Sequence, residues 1–201
     1  TRILSLLYLL LGLILAVSKM SRYSSGHVSS YTDWIGKYAN KKFSYFARHD
    51  SDNPINYEFN SLGYRGPEHV ADPDISVFGS SFSFGVGIEY SECWHQQLGT
   101  DKVNCYAPAG FLVTNDDIIS HYLNTKISSG KVILQLREFK YNRDTLTIPT
   151  SPLVFAIDEY KHTTIPTLTY ESFLDKAEDN VHPGKNTHKK WASILKTILN
   201  L

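Results

Sequence analysis

The sequence predicts a three-layer α/β/α domain built on a small parallel sheet, and three observations predict it. Short, continuously apolar runs recur between residues 75 and 168. Stretches with apolar residues at helical spacing lie between and after them. Two of the runs lead into glycine or proline, where a strand yields to a loop. Strands that are apolar along their whole length are buried on both faces. A parallel sheet covered by helices provides that environment; a half-solvated antiparallel sheet does not.

Taken in order, the first strand is Ile75-Ser76-Val77-Phe78, stopped by Gly79. The second is Val103-Asn104-Cys105-Tyr106, running into Pro108-Ala109-Gly110. Val132-Ile133-Leu134-Gln135-Leu136 is the third, and Leu153-Val154-Phe155-Ala156-Ile157 the fourth. Residues 164–168 make a fifth, weakened by Pro166, which has no N–H for a ladder. Residues 116–123 carry apolar side chains at helical spacing, with Asp116 and Asp117 at the positive end of the helix dipole. After Pro183-Gly184, residues Trp191, Ile194, Leu195, Ile198 and Leu199 form the apolar stripe of a terminal amphipathic helix.

Upstream, residues 60–67 hold two glycines and a proline and read as a turn. Residues 18–60 show no sustained period and read as an extended arm. Residues 3–17 are almost wholly apolar, flanked by Arg2, Lys19 and Arg22. This run is shorter than the ~20 residues that span a bilayer comfortably. A signal peptide, an uncleaved anchor and a buried helix all fit it, and an anchor through residues 3–18 is the preferred reading. The organisation expected is therefore an anchor or signal segment at 1–20, a membrane-proximal arm at 21–60 and one domain at 61–201.

Twenty basic residues balance twenty acidic ones, so nothing supplies the concentrated positive face that nucleic acid requires. Lys37, Lys41 and Lys42 are too small a cluster to change this. Cys93 and Cys105 are too few for a disulfide framework and form no metal-ligand spacing; they read as buried thiols. No metal or cofactor is expected. The glycines at 79, 85 and 87 lack the Gly-Lys-Ser/Thr of a phosphate loop. His95 and His121 lie in helix-like segments and read as surface or satisfied core residues, and His188 falls in the first turns of the terminal helix.

The first strand leads straight into Gly79-Ser80-Ser81-Phe82-Ser83-Phe84-Gly85. A serine at such a strand-to-helix turn exposes its hydroxyl, and its own N–H points to where an oxyanion would form. One hundred positions later comes Asp179-Asn180-Val181-His182-Pro183, ahead of the terminal helix. An imidazole can take the serine's proton, and a carboxylate nearby in sequence can hold its other nitrogen in the right tautomer. These two segments, in this order, resemble the first and last sequence blocks of SGNH/GDSL hydrolases. Residues 104–110 resemble the second block, with Gly110 as the oxyanion-hole glycine. Residues 60–66 also resemble a segment that precedes this domain in bacterial, often membrane-anchored, members. The resemblance covers about residues 57–201.

It implies a flavodoxin-like α/β/α fold and a triad of Ser81, His182 and Asp179. It further implies an oxyanion hole from the Ser81 and Gly110 amides. The chemistry implied is that of a serine esterase or O-acyltransferase acting on short acyl esters, such as acetylated glycans, outside the cytoplasm. The chain departs from the pattern in three ways. Ser80 replaces the usual Asp of the first block. Phe139 stands where the third block carries its oxyanion-hole Asn, leaving Asn142 or Arg137 as substitutes. The interval from Ser81 to His182 is short. These departures motivate an alternative: a non-catalytic, membrane-anchored subunit of a larger membrane complex. Its interface would be the arm aromatics Tyr23, Tyr31, Trp34, Tyr38, Phe43, Tyr45 and Phe46, unless these pack on their own domain.

Overall fold

The computed structural model describes residues 38–45, 55–109, 114–127, 129–136, 153–158, 167–169, 174–177 and 182–201. Strands β1 (Lys42–Tyr45) and β2 (Ile55–Glu58) form an antiparallel pair. Strands β3 (Ile75–Phe78), β4 (Val103–Cys105), β5 (Lys131–Leu136), β6 (Leu153–Asp158) and β7 (Thr167–Thr169) form one sheet in the order β4-β3-β5-β6-β7, every neighbouring pair parallel. The helices are α1 (Ser81–Phe84), α2 (Asn115–Asn124) and α3 (Lys185–Leu199), with 3₁₀ turns at Tyr90–Glu92 and Trp94–Gln97.

The five expected strands are present. The last begins at Thr167 and pairs through Ile157↔Leu168; Pro166 lies outside the described residues. Strand β3 is central to the site because it pairs on both sides, Val77 with Cys105 and with Ile133. Its side chains alternate between two cores. Ile75 and Val77 join one that contains Trp191 and Leu195 of α3. Phe78 joins the other, with Ile118 and Ile119 of α2 and Leu134 and Leu136 of β5. Helices therefore cover both faces of the sheet, which explains why β3 is buried along its whole length.

Before residue 61 the described residues are 38–45 and 55–60, which hold the β1–β2 pair and pack on the domain. Ile55, Tyr57 and Phe59 are buried while Asn56 and Glu58 are exposed, a period-two pattern confined to five residues. Those three side chains and Tyr38 join the core shared by β3 and α3. Tyr38 thus packs on its own domain, its ring 5.4 Å from that of Phe59. Phe43 and Tyr45 lie in β1, whereas Tyr23, Tyr31, Trp34 and Phe46 lie outside the described residues. So does the apolar segment 3–18; among the described residues no helix is long and apolar enough to cross a membrane.

Candidate active site

In the order β4-β3-β5 the chain leaves β3 for a strand on one side, then crosses to a strand on the other. Connections that diverge in this way open a crevice at the carboxyl ends of the central strands, where ligands bind in open α/β sheets. Ser81 stands three residues beyond β3, at that end.

Gly79 leaves the strand, Ser80 is extended as N-cap, and Ser81 opens α1. The helix is four residues long because Gly85 takes the left-handed conformation (φ 77°) and returns its N–H to Ser81 O at 3.0 Å. All four residues of α1 are buried, and Ser81 is 4 % exposed, so the serine is tucked into the turn and not exposed as its position predicted.

So short a helix has little stability of its own. Three buried polar side chains from three other segments hold it. Gln135 of β5 accepts hydrogen bonds at Oε1 from Ser80 N–H (3.1 Å), Ser80 Oγ (3.3 Å) and Ser83 Oγ (3.0 Å). His95 Nε2 donates to Ser83 O at 2.8 Å. Arg65 donates from one guanidinium nitrogen to Phe84 O and Gly85 O, and from the other to Ile88 O at 2.8 Å. The Arg65 guanidinium also lies over the Tyr57 ring, 4.3 Å from its centroid. The cation therefore sits at the carbonyl end of α1, where the backbone is negative.

His182 and Pro183 are held against residues 176–177. Lys176 and Pro183 form an antiparallel bridge, and Ala177 N–H donates to His182 O at 2.8 Å. Asp175 accepts from the Asn186 and Thr187 amides at 3.0 and 2.8 Å, capping α3, whose own N-cap is Gly184. Burial pushes the Asp175 carboxyl up, but these bonds and that of the Thr187 hydroxyl outweigh it and hold the carboxyl below its ordinary range. The His182 ring then meets the Phe82 ring edge-on, centroids 5.8 Å apart. Two segments a hundred positions apart thus come together at the residue after Ser81.

Among the described residues no hydrogen bond joins the Ser81 hydroxyl to the His182 ring; the contact runs through Phe82. Such bonds are often long until substrate binds. Asp179, Gly110, Arg137, Phe139 and Asn142 lie outside the described residues. His95, His188 and His121 have structural positions. His95 is wholly buried, and His188 Nδ1 accepts from Trp94 N–H at 3.0 Å. Burial above all lowers both pKa values to about 3, so each is neutral. His121 shares a 2.7 Å hydrogen bond with the Tyr64 hydroxyl. Cys93 and Cys105 are buried free thiols, pushed up to about 12 by desolvation. No group of acids, cysteines and histidines among the described residues has an arrangement that could hold a metal.

Sequence reasoning gave no role to Gln135, Arg65, Asp175 or the His95 contact. The signal for Gln135 was present: one polar residue in the otherwise apolar run 132–136. A polar group in a doubly buried strand needs a bonded partner. Asp175 carried no signal, because it caps a helix that starts ten residues later.

In comparisons with known proteins, no family model, no curated protein and no solved structure matches the chain. Its own geometry defines its class: an α/β protein on a parallel sheet, with a serine-bearing turn at the carboxyl end of a central strand.

Proposed function

We propose that the chain is a serine esterase or O-acyltransferase of the SGNH type, acting on short acyl esters with Ser81, His182 and Asp179 as its triad. The reading rests on one observation above the rest, the meeting of His182 with the residue that follows Ser81. The strand order is a second support. Counted within the sheet alone it is 2-1-3-4-5, the flavodoxin-like order.

In this reaction Ser81 Oγ attacks the ester carbonyl while His182 takes its proton, and Asp179 steadies the imidazolium. The oxyanion is held by the Ser81 and Gly110 amides, with Asn142 or Arg137 in place of the absent block-three Asn. The leaving alcohol takes the proton from His182. Water, or an acceptor hydroxyl, then releases the acyl group by the reverse sequence, giving an acid or a new ester. Acetylated glycans outside the cytoplasm are the proposed substrates, and residues 3–18 the proposed membrane attachment.

The test is p-nitrophenyl acetate hydrolysis by the full chain and by Ser81→Ala, with a fluorophosphonate probe as a second readout. Loss of both hydrolysis and labelling in the variant is expected. Equal rates in the two proteins would remove the catalytic reading. That outcome would leave the alternative, a non-catalytic membrane-complex subunit, standing.

A further inference from the structure

We infer that Gln135 is a positioning residue for Ser81, fixing the nucleophile's turn to β5. The inference rests on the serine-esterase reading for its catalytic consequence, but the hold itself is a matter of geometry.

Gln135 is wholly buried on the strand next to β3, two residues beyond the Ile133 that pairs with Val77. Its amide orientation is settled by its neighbours. Ser80 N–H can only donate, so the atom 3.1 Å from it is the oxygen. The nitrogen in turn donates to Leu136 O at 2.9 Å. That single oxygen receives the N–H and hydroxyl of Ser80, which precedes the nucleophile, and the hydroxyl of Ser83, one half-turn beyond it. Ser81 is bracketed by the two residues that Gln135 holds.

An apolar side chain at 135 would fit the surrounding strand and leave three buried donors without an acceptor. Buried donors in that state are costly, so α1 would shift to find other partners. Gly79 completes the arrangement. A methyl group there would collide with Ser83 Oγ and crowd Gln135 Oε1 at 2.8 Å. The Gln135 oxygen is thus packed against the turn with no room for a side chain between them. Displacing a nucleophile even slightly affects the chemical step more than substrate binding.

The test compares Gln135→Met, which keeps length but removes the acceptor, with Gln135→Glu, which keeps an accepting oxygen. For the full chain on p-nitrophenyl acetate, Gln135→Met should lower kcat about 10- to 100-fold with KM within about 3-fold. Gln135→Glu should recover most of that loss. Amide hydrogen exchange across residues 79–85 should quicken about 10-fold in Gln135→Met, with the β1–β2 hairpin unchanged. If Gln135→Met does not fold, Ser83→Ala removes one of the three donors and should give a smaller drop of the same kind. Unaltered exchange at 79–85 overturns the inference. So does a Gln135→Met kcat equal to the parent's where the parent's activity depends on Ser81. A parent without Ser81-dependent activity sinks the esterase reading instead. Quickened exchange would then still support the hold on the turn.

Discussion

The imidazole of His182 meets the ring of Phe82 edge-on, at 89° and 5.8 Å between centroids. Phe82 also packs against Trp191 of α3, at 6.3 Å. One side chain therefore links the serine-bearing turn to both the histidine loop and the terminal helix. Phe82→Leu keeps an apolar group of similar size but removes the ring edge. It should destabilise the chain by about 1–2 kcal/mol. It should also lower p-nitrophenyl acetate turnover, because His182 loses its rest. A denaturation midpoint and an activity assay on one preparation check both effects; full turnover would sever the contact from the chemistry.

Gly79 stands where the chain leaves β3, and the side chains of Ser83 and Gln135 occupy the space its own would take. Gly79→Ala forces these groups apart. A loss of about 1–3 kcal/mol is expected, the usual cost of overpacking. Urea titration measures it, and a cost below a few tenths of a kcal/mol would mean that the turn yields freely.

The carboxylate of Asp175 supplies the cap that Gly184 lacks at the start of α3. Asp175→Ala should cost about 1–2 kcal/mol, the range for removing an N-cap acceptor. Asp175→Asn retains an accepting oxygen and should cost less. The order of the two midpoints is the measurement, and an inverted order would assign the stabilisation to something other than capping.

Stability should fall as the solution is acidified from neutral pH. His95 and His188 have folded pKa values of about 3, against an ordinary value of about 6.5. Below the higher value the unfolded chain takes up protons that the folded chain refuses. The stabilisation is complete above pH ~6.5 and is lost as pH falls toward 3, by up to about 1.4 kcal/mol per pH unit for each histidine. His121, lowered by burial to about 4, acts in the same direction. Asp175, lowered as well, adds its loss below about pH 4. Urea midpoints at pH 7, 6, 5 and 4 should decline steadily. A flat series would show that these rings are not buried as neutral groups.

Much of this architecture was legible because it rests on local pattern. The run 75–78 ending in Gly79 marks a strand and its exit, and the stripe from Trp191 to Leu199 marks α3 and, apart from the exposed Ile198, the face it buries. Cys93 and Cys105 were legible as core residues. The β1–β2 hairpin was not, since its alternation lasts five residues and lies within a polar stretch. The candidate site was legible as two segments in order, Ser81 and His182, but not as a place. Nothing local to Phe82 says that its ring will face a histidine a hundred residues away.

By itself, then, the sequence determined the α/β class, the strands and terminal helix, and the positions of a serine and a histidine at the edges of elements. Periodicity and turn chemistry act over a few residues, so they can be read from a few residues. Only the tertiary structure decided the order β4-β3-β5-β6-β7, the inclusion of the hairpin in the core, and the grip of Gln135, His95 and Arg65 on α1. Those depend on the need of buried donors and acceptors to find one another, and their partners lie 12 to 55 positions apart in the chain.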